Sequence, residues 1–320
     1  MTNLQQQLKD HFPGFNFKYD FPLASLTYSK IGGPAEVYIE LKDRRKIIEL
    51  VKFCRHNQIK LTILGGASNV IVADEGIDGV TLSLANDEVK VTSEIIDDKE
   101  VIEVGAGVKT ALLVRQTVDL GYTGLEYFLG VPGKLAGAIY NNAHYLQDLV
   151  GEHVTAVEVI TVKGETRWLS QAECEFSYDY SRFHHTQEVI LTVRFALAKG
   201  NKEESLAKIK EATLYRAQTQ PLGMPSSGCI FQNTPNNDHL RQLFPQFAER
   251  SHVPGGFLID QAGLKGEREG DLEVSHKHAA FFVNHGHGTA ADLQKLITKV
   301  KQRVKDKFGV ELEEEVFYLS

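Results

Sequence analysis

The sequence predicts a mixed chain, an α/β part with a strand-rich middle followed by a smaller α+β part, and three observations carry that expectation. Its 320 residues span two or three domains of the usual size, about 100–200 residues each, and 42% hydrophobic content is enough to give each a core. From Ala35 a strand, an amphipathic helix and a second strand follow one another. The stretch QPLGMPSSG at 220–228 concentrates prolines and glycines and marks a boundary.

The first element, residues 35–41 (AEVYIEL), has the β-branched and aromatic content of a strand. Asp43 suits an N-cap, and Ile47, Ile48, Leu50, Val51 and Cys54 fall on one stripe of the helix behind it. KLTILGG returns to a strand and completes a βαβ unit. The β-branched runs GVTLSL, EVKVTSEI and KEVIEVGAG follow, then a helix from Thr110 that stops at Gly121. HVTAVEVITVKGETRWLS reads as a hairpin turning at VKGE, and EVILTVRFAL as a further strand. A charged helix covers roughly 202–218. The last helix opens with the capping pair Thr289 and Asp292, sets Leu293, Leu296, Ile297, Val300, Val304 and Phe308 on one face, and ends at Gly309. Beyond it Leu312, Val316, Tyr318 and Leu319 alternate with Glu311, Glu313, Glu314 and Glu315, as in a strand that turns at least one carboxylate inward.

Composition narrows the function. With 35 Lys and Arg against 42 Asp and Glu, the net charge is −7, so no basic excess draws the chain to nucleic acid or to an anionic membrane. Any bound phosphate must be held locally. Cys54, Cys174 and Cys229 lie far apart without a CxxC, which argues against a disulfide scaffold or a structural zinc and suits a reducing cytoplasm. The N-terminus has no basic stretch leading into an apolar one, and no run of about 18 apolar residues occurs, so neither export nor membrane spanning is expected.

Several motifs carry candidate chemistry. Gly65, Gly66, Ala67, Ser68 and Asn69 follow a strand end; the glycines allow positive φ and close backbone approach, for a loop whose N–H groups hold a pyrophosphate or for a plain tight turn. A second cluster includes Gly130, Gly133, Gly137 and Ala138, a density that suits a backbone lying against an extended ligand or the close packing of two elements. Gly105 and Gly107 imitate a dinucleotide fingerprint, but Thr110 stands where the third glycine belongs. No GxxxxGK[ST] supports phosphoryl transfer.

Cys229 sits in the polar loop PSSGCIFQN, an unusual place for a core thiol. With an ordinary pKa of about 8.5 a thiol is mostly protonated at pH 7, so it can donate a proton as well as act as a nucleophile. His276/His278 and His285/His287 have the spacing of one strand face, yet no neighbouring carboxylate or cysteine completes a ligand set, so solvated or hydrogen-bonded histidines outweigh a metal site. The run from Tyr178 and Asp179 to Arg182 and Phe183 suits either a ring-and-phosphate contact or an ordinary strand-to-loop edge.

Taken in order, SKIGGPA (29–35), LGGASN, GVPGKLAGAIYNN, PSSGCIFQN, GGFLIDQAGLKG and the terminal LEEEV resemble the UDP-N-acetylenolpyruvoylglucosamine reductases, flavoenzymes of peptidoglycan precursor synthesis, over nearly the whole chain. The resemblance implies a two-part FAD-binding domain of the vanillyl-alcohol-oxidase (PCMH) type at 1–86 and 87–200, and a smaller α+β substrate-binding domain at 201–320 whose C-terminal strand returns to the active site. It implies a cytoplasmic enzyme with tightly bound FAD and with NADPH as hydride donor. The reaction is reduction of the enolpyruvyl group of UDP-N-acetylglucosamine enolpyruvate to UDP-N-acetylmuramate, with no obligate protein partner. By the same resemblance the 65–69 and 130–138 loops and Arg216 hold FAD, Cys229 protonates the substrate with Glu315 in support, and Tyr178, Asp179, Asn233 and His278 contact the substrate.

The chain departs from the family pattern at three places. Members commonly carry Tyr-Arg where this chain has Tyr178-Asp179, and that arginine helps hold the substrate; Arg182 is expected to supply the guanidinium instead, oriented by Asp179. Thr219 replaces a frequent lysine near Arg216, and Lys134, Leu135 and Ala136 stand where Thr-Val-Gly is usual. No inserted tyrosine-bearing loop occurs, which marks the shorter subtype. Alternative readings are another flavin oxidase or dehydrogenase of the same fold, and a degenerate UDP-sugar-binding protein.

Overall fold

Asp43 caps its helix: one carboxylate oxygen accepts the N–H groups of Arg45 at 2.7 Å and Lys46 at 3.1 Å, and helix Arg44–His56 follows. Ile47, Leu50, Val51 and Cys54 are fully buried, while Ile48 packs half-buried against the same core. The structure is a computed structural model describing residues 1–145 and 148–320. It falls into two units, one of Met1–Phe21, Ala35–Gly66 and Asp78–Arg216, the other of Pro22–Pro34, Ala67–Ile77 and Ala217–Ser320.

Among the described residues the first unit holds two larger sheets, besides the short pair His144–Tyr145 with Asp148–Leu149. One runs in the order Lys18–Pro22, Pro34–Leu41, Ile77–Leu84, Leu61–Leu64, and its last two strands pair in parallel with Leu61 opposite Val80. The other is antiparallel along Thr166–Ser170, Val154–Ile160, Val189–Lys199, Lys99–Gly105 and Val89–Ile96. Its hairpin turns where expected, with the Thr161 N–H on the Glu165 carbonyl at 2.8 Å and Gly164 at φ 78°. Arg44 reaches from its helix to Glu158 on the second sheet in a two-pronged pair, 2.6 and 2.7 Å, and Thr192 donates to the same carboxylate at 3.0 Å.

The 86/87 division expected from the sequence falls between the two sheets, after Ile77–Leu84 and before Val89–Ile96. The expected 200/201 division differs from the observed one at Arg216/Ala217, which lies within helix Lys202–Thr219. Polar contacts explain the difference. Ser205 donates to buried Glu126 at 2.6 Å and Arg216 donates to the Gly130 carbonyl at 2.9 Å, so most of the helix packs with the first unit.

In the second unit helix Ala290–Phe308 forms with the expected capping box, apolar face and Gly309 stop, Gly309 having φ 66° and its N–H on the Lys305 carbonyl. Asp74 accepts the N–H groups of Ala290 at 2.8 Å and Ala291 at 3.0 Å, adding a carboxylate at the helix start. Strands Leu272–Val274 and Phe282–Asn284 pair antiparallel, and Phe317–Leu319 lies parallel to Val70–Val72. The acidic run is not the expected strand. Leu312 and Val316 are buried, but regular pairing covers only Phe317–Leu319, because Leu312, Val316, Tyr318 and Leu319 are spaced by four, two and one instead of by twos throughout. Among the described residues, no helix is long and apolar enough to cross a membrane.

Candidate active site

In the first unit the two glycine loops touch. A Cβ at position 66 would lie 2.1 Å from the Gly133 Cα, so only glycine permits this approach, whereas one at position 65 would make an ordinary 3.6 Å contact with the Gly137 backbone. The direction of a Cβ on Gly137 is open, with nothing within 4 Å. Positive φ falls on Ala67, at 53°, and not on Gly65 or Gly66; of the two freedoms expected of these glycines, close approach is the one used, at Gly66.

The N–H groups of Leu135, Ala136, Gly137 and Ala138 are engaged with the carbonyls of Val108, Ala106 and Lys134. Those of Gly66 and Ala67 donate to nothing among the described residues. Backbone capture of a pyrophosphate therefore fits the 65–69 loop, while the second cluster leaves open space at Gly137. Both features fit FAD. Gly105 and Gly107 are packing glycines: a Cβ on either would strike the backbone of Asn86 or Ala85 within 2.6 Å.

Lys134, unremarked as a contact in the sequence, fastens this cluster to strand Ile77–Leu84. Its Nζ donates to Ser83 Oγ at 2.8 Å and the Leu84 carbonyl at 2.7 Å, and pairs with Glu40 at 3.3 Å. Burial pushes the amine's pKa down. Arg216 lies against Gly130, where a Cβ would sit 2.6 Å from its Cδ, and its guanidinium stands 4.7 Å from the Tyr145 ring centre.

The segment with Tyr178, Asp179 and Arg182 is also in the first unit, but its pairing differs from the expectation. Asp179 is only 8% exposed and sits at φ 50°, with Oδ1 3.0 Å from His144 Nδ1 and Oδ2 unpartnered among the described residues. Tyr178 packs on the His144 ring at 4.8 Å. Arg182 instead pairs with Glu188 at 3.2 Å and donates to the Glu173 carbonyl at 2.9 Å. Asp179 therefore does not orient Arg182; the nearer acidic and carbonyl oxygens hold that guanidinium. No sequence signal linked Asp179 to His144, which lies 35 residues earlier.

The second unit brings Asn69, Cys229 and Glu315 together through the backbone. Cys229 bridges Phe281 on one side, Phe231 bridges Glu314 on the other, and the Glu315 N–H donates to the Ile230 carbonyl at 2.9 Å. Asn69 Nδ2 donates to the Glu315 carbonyl at 3.1 Å, and the Asn69 carbonyl accepts the Phe317 N–H at 3.1 Å. Ile230 and Phe231 are buried while Cys229 and Glu315 are half-buried, so core anchors flank both side chains. By contrast, burial pushes the Cys54 and Cys174 thiols up to about 12, which leaves them protonated packing groups.

His278 accepts the Ala280 N–H at Nδ1, 3.3 Å, and burial lowers its pKa, so it is a neutral ring with Nε2 as the protonated nitrogen. Asn233 Oδ1 accepts the Gly255 N–H at 3.4 Å, at the start of helix Gly255–Gln261. Glu273, absent from the reasoning on sequence, receives His285 at 3.1 Å and His276 at 3.5 Å, which gives those two histidines a carboxylate partner.

Residues 35–170 match the family described as FAD binding domain, and with the paired glycine loops this defines the chain as an FAD-binding flavoprotein. Residues 220–319 match the C-terminal domain of UDP-N-acetylenolpyruvoylglucosamine reductase. A curated relative, UDP-N-acetylenolpyruvoylglucosamine reductase 2 of Bacillus thuringiensis subsp. konkukian, is 38% identical over 99% of this chain and 97% of its own length. The Listeria monocytogenes reductase is 36% identical over 99% and 98%. The crystal structure of the enzyme from Thermus caldophilus superposes with a TM-score of 0.75 at 29% identity, covering 96% of this chain and 99% of that one. The chain belongs to the UDP-N-acetylenolpyruvoylglucosamine reductase family.

Proposed function

We propose that the chain reduces the enolpyruvyl group of UDP-N-acetylglucosamine enolpyruvate to UDP-N-acetylmuramate, taking the hydride from NADPH. FAD, held by the glycine loops, would supply the hydride-transfer chemistry between the nicotinamide and C3 of the enolpyruvyl group. The remaining chemistry is delivery of one proton to C2, and Cys229 is its source. The single observation that carries this assignment is the placement of the half-buried Cys229 and Glu315 on neighbouring, mutually bonded segments anchored by buried Ile230 and Phe231.

A neutral thiol gives up its proton as negative charge grows on the substrate, and Glu315 assists when it is itself protonated, since a bare carboxylate would oppose that charge. Gly65, Gly66, Ala67, Ser68 and Asn69 hold the cofactor's pyrophosphate by backbone donors, and the open space at Gly137 lies against the flavin, in a cluster with Gly130, Gly133 and Ala138 to which Arg216 is bonded through the Gly130 carbonyl. Tyr178, Asp179, Asn233 and His278 are assigned to substrate contact by the family resemblance.

Separate measurement of the two half-reactions tests the role of Cys229. Cys229→Ala is expected to bleach normally with NADPH and to lose about 100-fold or more in the rate of flavin recovery with the enolpyruvyl sugar. Cys229→Ser should retain part of that rate. Equal loss of both half-reactions in Cys229→Ala would remove the thiol from the proton step.

A further inference from the structure

We propose that Glu314 is a positioning residue for the proton-delivery step: clamped by Lys301 and Tyr318, it sets the direction in which its neighbour Glu315 leaves the chain. The inference rests on the role proposed above for Glu315. The Glu314 side chain is 21% exposed and both of its carboxylate oxygens are used, Oε1 by Lys301 Nζ at 2.8 Å and Oε2 by the Tyr318 hydroxyl at 2.6 Å. Tyr318 is half-exposed; partial desolvation and the carboxylate itself hold its phenol above the ordinary value, so the hydroxyl stays protonated and donates. Glu311 pairs with Lys305 one turn further along the same helix, but those side chains are 73% and 54% exposed, so that pair fixes little.

Residues 313–315 run beside 230–232: Phe231 bridges Glu314, the Gln232 N–H donates to the Glu313 carbonyl at 3.0 Å, and the Glu315 N–H donates to the Ile230 carbonyl at 2.9 Å. Successive side chains of such an extended stretch point to opposite sides, so tethering Glu314 to helix Ala290–Phe308 sends Glu315 the other way.

The helix is itself a fixed reference. Asp74 holds its first N–H groups at 2.8 and 3.0 Å, the Ala73 N–H donates to the Leu319 carbonyl at 2.8 Å, and Asn69 Nδ2 donates to the Glu315 carbonyl at 3.1 Å. Segment 69–74 thus grips both the helix and the C-terminal strand, and the Glu314 clamp joins those two directly. Backbone bonds fix where residue 315 lies. The clamp on residue 314 stops the segment from rolling about its own axis, the motion that would swing the Glu315 carboxyl off line. Geometry at reacting groups is demanding, a misplacement of about 1 Å costing on the order of 100-fold in rate.

The two half-reactions are followed at the flavin in the FAD-loaded protein and in its Glu314→Ala, Glu314→Gln, Glu315→Ala and Glu314→Ala/Glu315→Ala variants. Glu314→Ala is expected to bleach with NADPH at the wild-type rate and to recover about tenfold more slowly with the enolpyruvyl sugar, with kcat falling and KM nearly unchanged. Glu314→Gln still accepts from Tyr318 and should lie between the two. In the Glu315→Ala background, adding Glu314→Ala should slow recovery no further, because Glu314 acts only through Glu315. Flavin content and thermal midpoint report folding. Lys301→Met with Tyr318→Phe removes the same two bonds from the other side and carries the same expectation, which keeps the test open where Glu314→Ala lowers the midpoint. Recovery within about twofold of wild type in Glu314→Ala, with Glu315→Ala slow, would overturn the positioning role and leave that of Glu315 standing. Additive losses in the Glu314→Ala/Glu315→Ala variant would overturn it as well. Wild-type recovery in Glu315→Ala would overturn the role of Glu315 itself, and the positioning with it.

Discussion

Gly66 and Gly137 lie in neighbouring loops but respond to a methyl group in opposite ways. Gly66→Ala drives a Cβ to within 2.1 Å of the Gly133 backbone, and the loops must part; a loss of about 1–3 kcal/mol and of bound flavin is expected. Gly137→Ala points its methyl into open space on helix Leu135–Tyr140, so thermal stability should hold or rise while flavin retention falls. Thermal unfolding together with the flavin-to-protein absorbance ratio separates the two. Equal destabilisation by both would mean that the open face at Gly137 is a packing surface. The need for small residues was legible in the sequence, but the division of labour was not, because positive φ settled on Ala67, a residue chemically able to avoid it.

Titration follows from burial at the same scale. Burial lowers the pKa of both His184 and His278, so the unfolded chain binds protons more readily than the folded one below the ordinary histidine value of about 6.5. Their contribution to stability is present above that pH and is lost as pH falls through the lower folded values. Urea unfolding at pH 7.5 and 5.5 should show lower stability at the acid value, and His278→Gln should flatten part of that slope. An unchanged slope would mean that His278 titrates alike in the folded and unfolded chains.

Between elements, single buried carboxylates tie pieces that the sequence left unconnected. Glu126, 2% exposed, accepts from Thr123 Oγ1 at 2.5 Å, the Gly124 N–H at 2.7 Å and Ser205 Oγ at 2.6 Å, and so fixes helix Lys202–Thr219 to the first unit. Burial pushes its pKa up, but those donors outweigh it and hold the carboxyl below the ordinary range. Glu126→Ala leaves several buried donors unpaired and should cost about 2–4 kcal/mol in urea unfolding. A loss under about 0.5 kcal/mol would mean that the apolar contacts alone seat the helix. Helix starts and stops were legible through Asp43, Thr289 and Gly309, since capping is local. Pairs such as Arg44 with Glu158, 114 positions apart, were not, because nothing local encodes them.

Across the whole chain, the order of the glycine loops, the Cys229 loop and the terminal Glu315 motif was enough to indicate the family, and similarity over 99% of the chain agrees. What the motifs concealed is how this chain treats its departures. Asp179 does not support Arg182 but holds His144, and Lys134 serves as a buried fastener of the glycine loop. Both depend on tertiary neighbours that single-position matching does not reveal.

The most direct measurement is the visible spectrum of the purified protein through one anaerobic cycle. Flavin bands that bleach on adding NADPH and return on adding UDP-N-acetylglucosamine enolpyruvate are the predicted result. A protein without flavin absorbance, or a flavin that NADPH reduces and the enolpyruvyl sugar leaves reduced, would contradict the proposed reaction.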